Sequence, residues 1–95
     1  MANWQAEKWV LQGEADFQSG QLDSAQRIFE ALLSRLPNHT RAGNDLACVL
    51  WQGDTDGEGI AQAKEILTGI LAREPENEDA RWNLAEVEGV GLEVG

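Results

Sequence analysis

Ala25-Gln26-Arg27-Ile28-Phe29-Glu30-Ala31-Leu32-Leu33-Ser34-Arg35-Leu36-Pro37 and Ala63-Lys64-Glu65-Ile66-Leu67-Thr68-Gly69-Ile70-Leu71-Ala72-Arg73-Glu74-Pro75 follow one pattern. Each opens on Ala-x3-Phe or Ala-x3-Leu, reaches a Leu-Leu or Ile-Leu pair and stops at a proline, the two prolines standing 38 residues apart. In the first stretch Leu22, Ala25, Ile28/Phe29, Leu32/Leu33 and Leu36 recur at spacings of three and four, which places them on one face of a helix. Pro37 and Asn38 end that helix, because proline has no N–H to give and clashes with the preceding turn. Ile60, Ala63, Ile66/Leu67 and Ile70/Leu71 repeat the periodicity, and Glu74-Pro75 ends it.

Outward from these two stretches the correspondence continues. Arg41-Ala42-x3-Leu46-Ala47 matches Asp79-Ala80-x3-Leu84-Ala85, again 38 residues apart. Helical patterning is expected over residues 3–18, closing at Ser19-Gly20, and over residues 40–52, closing at Gly53. A fifth helix is expected over residues 78–88, opened by Asn77 or Glu78. Asn38-His39-Thr40 matches an N-glycosylation acceptor but is read as a helix start. The Gly-rich tail, residues 89–95, is expected to be flexible. No segment alternates as a strand would. The expected fold class is therefore all-α, an antiparallel helix-pair repeat of five helices. Its single domain spans residues 1–88: a first repeat over 6–39, a second over 40–77 with an expanded turn, and a half repeat or capping helix over 78–88.

Composition narrows the function. The 95 residues suit one domain, and 42% apolar content suits a globular chain. No apolar run approaches the roughly 18 residues of a membrane span. The first eight residues carry no basic start followed by an apolar stretch, so a cytoplasmic location is expected. One cysteine, Cys48, and one histidine, His39, leave no material for an intramolecular disulfide, a Cys-based zinc site or a multi-His site, and no cofactor is expected. A net charge of −10 repels nucleic-acid phosphates and anionic lipid. It is compatible with a solvated surface, a preference for basic partners, or a high-salt setting. No acid pair, nucleophile or phosphate loop has a spacing that specifies a reaction, so no enzymatic activity is expected.

Taken together, Trp9-x2-Gln12-Gly13-x2-Asp16, Ala25-x3-Phe29 and Pro37 resemble the unit of the tetratricopeptide-repeat (TPR) family, Trp-x2-Leu-Gly-x2-Tyr, Ala-x3-Phe, Pro. Gly43-x2-Leu46-Ala47-x2-Leu50, Ala63-x3-Leu67 and Pro75 form a second unit, and Arg81-x2-Leu84-Ala85 half of a third. Gln12, Asp16 and Gly43 depart from the family's Leu, Tyr and Trp. The resemblance covers about residues 6–88. It implies a TPR-like α-solenoid that stacks helix pairs and acts as a non-enzymatic scaffold for protein binding. Small residues (Gly13, Ala25, Ala47, Ala63, Ala85) would let helices approach, and Phe29, Leu50, Leu67 and Leu84 would fill the gaps beside them.

The same resemblance implies a concave groove lined by the first helix of each pair. Its groove-facing places fall on Glu7, Val10, Glu14 and Phe17, on Arg41, Asn44, Cys48 and Trp51, and on Asp79, Trp82 and Glu86. Trp51 and Trp82 fit either the groove or the core and a helix seam, Cys48 is read as a small buried residue and not a reactive thiol, Trp9 as packing, and Trp4 as a cover for the end of the stack. The family's chaperone-binding clamp uses Lys, Asn and Arg to hold terminal carboxylates. At those places this chain has Val10, Glu14, Asp45, Asp79 and Asn83, so a basic or amphipathic protein segment is the expected partner, with self-association as a further expectation. The half unit fits either a capping helix or a piece of a longer array.

One competing motif lies in the second unit. Asp54-Thr55-Asp56-Gly57-Glu58-Gly59-Ile60-Ala61-Gln62-Ala63-Lys64-Glu65 resembles the calcium loop of an EF-hand. That reading would give ligand oxygens to Asp54, Asp56, Glu58 and Glu65, and a sharp turn to Gly59. Against it, Glu58 stands where a shorter side chain is usual, Ala61 where a larger aliphatic braces the loop, and an EF-hand needs splayed helices; the favoured reading is a solvated turn, with Gly53 ending one helix and an acid near the start of the next.

Overall fold

A computed structural model describes residues 5–92, with side chains described through Gly89. Trp4, the expected start of the first helix at residue 3, and residues 93–95 of the tail lie outside the described residues. Among the described residues five helices follow one another: α1 (Ala6–Gln18), α2 (Leu22–Arg35), α3 (Thr40–Gln52), α4 (Glu58–Arg73) and α5 (Glu78–Leu92). There is no strand among the described residues.

The helix ends show why the chain divides there. His39 Nδ1 accepts from the Ala42 N–H at 3.2 Å and so caps α3, which makes Asn38-His39-Thr40 a helix start. Asn77 Oδ1 accepts from the Ala80 N–H at 2.8 Å and caps α5. Gly20 and Gly57 hold the left-handed backbone, φ 85° and 92°, that the turns into α2 and α4 require. Two boundaries differ from the sequence expectation. α4 begins at Glu58, ahead of Ile60, because Asp54 supplies a cap that periodicity does not register. α5 runs to Leu92 rather than stopping at Glu88. Glycines at 89 and 91 weaken a helix by roughly 1 kcal/mol each without forbidding it, and no proline intervenes.

Short links turn the chain back on itself, so that α1 packs on α2, α2 on α3, α3 on α4 and α4 on α5. α3 also touches α1 and α5. The molecule measures 51 × 29 × 18 Å, about two helix diameters thick. Within this slab Val10, Phe29, Leu32, Val49, Leu67, Ile70 and Val87 are the large side chains sealed from water among the described residues, each worth roughly 1.5–3 kcal/mol of burial. α3 lies at the centre and buries Ala42, Gly43, Asn44, Leu46, Ala47, Val49 and Leu50.

Small residues set the helix approaches. A Cβ on Gly13 would stand 2.7 Å from the Phe29 ring, and one on Gly43 3.1 Å from Ile70 Cδ1. Ile70 fills the space beside Gly43, so a large side chain would not fit there. Gly59 sits inside the first turn of α4, where a Cβ would come 2.3 Å from the Leu50 carbonyl oxygen. It marks a backbone contact between α3 and α4 and not the turn of a calcium loop; the left-handed residue is Gly57. Gly59→Ala is expected to cost about 1–3 kcal/mol in urea unfolding, since the obstruction is backbone and must move as a unit. Gly69→Ala, in the same helix with open space around it, is expected to stabilise by up to about 1 kcal/mol.

Candidate functional site

Between α1, α3 and α5 lies an open cavity of about 550 Å³. Glu14 comes from α1, Thr40, Arg41, Asn44 and Asp45 from α3, Asp79 and Asn83 from α5, and Glu74 and Asn77 from the link between α4 and α5. The arrangement follows from helical spacing: residues 41, 44 and 45 share one face of α3, as residues 79 and 83 share one face of α5. Asn83 Nδ2 donates to Asn44 Oδ1 at 3.1 Å and ties α5 to α3 through the most buried polar side chain among the described residues. The Thr40 hydroxyl donates to Glu74, and Asn77 Nδ2 donates to Glu74 at 3.1 Å. Those two hydrogen bonds hold the Glu74 carboxyl below its ordinary range.

Arg41 reaches across from α3 to α1. Its Nε and Nη2 donate to the two Glu14 oxygens at 2.8 and 2.7 Å, a bidentate clasp. Arg41 thereby lowers the Glu14 pKa, with hydrogen bonding to Asp45 a further cause. Asp45 stands behind them. Its Oδ2 is sealed from solvent with no N–H or O–H donating to it. A carboxylate so placed is costly, and a proton of its own relieves the cost. Burial, then the hydrogen bond to Glu14 and its charge, push Asp45 up to about 8. Of the coupled pair, Asp45 is accordingly the acid that holds its proton more tightly, and Glu14 the one that ionises more readily.

Of the side chains that the sequence places in a groove, Glu14, Arg41, Asn44 and Asp79 meet at this cavity. Val10 does not face it: it is 1% exposed and belongs to the core, a correction that follows from its packing between α1 and its neighbours. Phe17 and Trp51 are half-buried against the core, and the Trp51 indole N–H is sealed without an acceptor in hydrogen-bond geometry. Glu7 lines a separate shallow recess with Val10 and Arg41. Trp82 and Glu86 are exposed on α5 outside the cavity lining. Cys48 is half-buried, and burial, followed by the nearby Asp45, pushes its thiol up to about 11, so it stays protonated. The additional lining residues Asp45 and Asn83 carry a legible signal, polar side chains one helical turn from Arg41 and Asp79. Thr40, Glu74 and Asn77 give none, because their place depends on how the link folds.

The calcium-loop residues are engaged differently. Asp54 accepts from the Gly57 and Gly59 N–H groups at 2.9 and 2.8 Å, and Asp56 from the Glu58 N–H at 3.0 Å. These are the amides that the start of a helix leaves unpaired, so the turn acts as a cap for α4. Glu58 and Glu65 are exposed on α4. Among the described residues no group of three or more His, Cys, Asp or Glu is arranged to hold a metal ion. No described helix is long and apolar enough to cross a membrane. Compared with known proteins, the chain matches no family model, no curated protein and no solved structure.

The acid pair has a consequence for stability. Asp45 has its folded pKa raised from 3.8 to about 8, so the folded state holds a proton that the unfolded state releases. Its contribution is complete below pH 3.8 and is lost as pH rises towards 8. Glu14 and Glu74 act in the opposite sense at the acid end, because their folded pKa values are lowered. Melting temperature should therefore fall between pH 5 and pH 8 in the wild type. Asp45→Asn, which keeps a donor towards Glu14 and cannot ionise, should flatten that slope and melt on the order of 5 °C higher at pH 8.

Proposed function

We propose that this chain is a non-enzymatic protein-interaction module, a TPR-like stack of two helix pairs and a closing helix. In this reading it binds a basic or amphipathic segment of a partner in the cavity between α1, α3 and α5. The observation that carries the reading is the cavity lining: Glu14, Glu74 and Asp79 converge there with Asn44 and Asn83. Carboxylates and amide oxygens accept hydrogen bonds from Lys and Arg side chains, and the only cation among the lining residues, Arg41, is already held by Glu14. The net charge of −10 favours approach of a cationic partner from a distance.

Two further observations support the repeat. The 38-residue sequence period coincides with the packing, since α3 meets α1 and α2 as α5 meets α3 and α4. The cavity is walled by the first helix of each pair, as the resemblance implies. Unequal acid pairs also occur in general acid–base catalysis. Here both Glu14 oxygens are occupied by Arg41 and Asp45 Oδ2 is sealed, which favours a structural pair over a catalytic one.

An array of short helical and extended peptides, probed with the intact chain, tests this. Lys- and Arg-rich peptides should be retained and peptides with acidic C-termini should not. Retention should weaken as salt rises. Glu14→Gln combined with Asp79→Asn should reduce affinity by roughly tenfold while leaving helicity unchanged. Selective retention of acidic peptides would overturn the reading.

A further inference from the structure

Apart from the cavity, two surface features lie at opposite parts of the slab and complement one another. The first is a recess of about 300 Å³ between α1 and α2, lined by Trp9, Gln12, Arg27, Ile28 and Ala31. Its wall is almost wholly carbon, from Trp9, Ile28 and Ala31. Arg27 is exposed at its edge and makes no ion pair among the described residues. Gln12 donates through Nε2 to Asp16 at 3.0 Å, which fixes the amide with its carbonyl oxygen still able to accept. The second feature is Trp82 on α5. It is 68% exposed, the most exposed large apolar side chain among the described residues. Glu78, Asp79 and Glu86 stand three or four positions from it on the same helix face, all exposed.

An indole exposed on an acidic ridge is costly in water and matches an apolar recess with Arg27 at its edge. Within one chain the two cannot meet, because α5 packs only on α3 and α4. We propose that the chain associates head to tail, Trp82 of one copy entering the recess between α1 and α2 of the next. Arg27 then lies against the acidic residues beside Trp82, and Gln12 Oε1 accepts from the indole N–H. A second copy is the occupant because it carries both complementary halves. With seven basic residues against seventeen acidic ones, the basic-edged recess is also one of the few places where another copy's acidic helix can land without repulsion. The contact is heterologous, so a free Trp82 and a free recess remain at the two ends of every open assembly, and a closed ring would use both. This inference does not rest on the groove reading: Asp79 borders both surfaces, but Glu14, Asp45 and Asn44 take no part in it.

Sedimentation velocity of the intact chain, up to about 1 mM, should show an average mass that rises with concentration beyond a dimer. Trp82→Ala, which removes the key, and Ala31→Glu, which blocks the recess at an exposed helix position, should each be monomeric with unchanged circular dichroism. Mixed together they should form a 1:1 complex, because each supplies the half that the other lacks. Arg27→Glu provides an independent recess variant and should behave as Ala31→Glu does. A wild type that stays monomeric throughout would overturn the proposal and leave the recess to a different protein. It would equally be overturned by association that survives Trp82→Ala, or by folded single variants that fail to combine.

Discussion

The Phe29 ring lies so close to Gly13 that any side chain on residue 13 would have to displace it. That contact fixes how near α1 and α2 can lie, and the same device recurs where Ile70 meets Gly43 and where the Leu50 carbonyl meets Gly59. Dispersion forces fall off steeply with separation, so a slab two helices thick depends on such close approaches more than a thick core does. Large side chains then fill what the small ones leave open: Phe29, Leu32, Leu67 and Ile70 are sealed by neighbours brought within reach. The cavity is a further result, since the spacing of α1, α3 and α5 decides that Glu14 and Arg41 clasp and that Asp45 is shut in behind them.

How far this was legible in the sequence can be followed residue by residue. Spacings of three and four located all five helices, and Pro37, Pro75, Asn77 and the stretch before Thr40 marked their boundaries. An acid near the start of α4, after Gly53 closes α3, was legible, but not that Asp54 caps from outside the helix, accepting from Gly59 five residues on. Only the calcium-loop alternative makes Gly59 a turn, and a glycine among acids looks the same in sequence whether it bends a loop or admits a carbonyl. Asp16, out of place by the family pattern, accepts from Ser24 at 2.6 Å and from Gln12 at 3.0 Å, a polar link between α1 and α2. Two departures from the pattern are thus a single interaction, which only the packing reveals.

The candidate site was legible in outline. The resemblance implied that Glu14, Arg41, Asn44 and Asp79 face one groove, but facing a groove is not the same as being accessible in it. Val10 fails that step because the helix pair closes over it, and Trp51 is half enclosed for the same reason. Pairing within the free protein was also invisible. Whether Arg41 would greet a ligand or hold Glu14 depends on a distance between two helices, and the proton on Asp45 depends on what else is buried with it.

α3 touches all four other helices, whereas α1 and α5 each touch only two, and not each other. Free energy in such an arrangement is graded outward from α3, and each end can open locally without drawing the other with it. Glu14 stands on the α1 side of the cavity and Asp79 and Asn83 on the α5 side, so its opposite walls belong to units that fluctuate separately. A segment lying across both would join their fluctuations. The chain ends would then become cooperative through the bound segment, without either helix having to change its place.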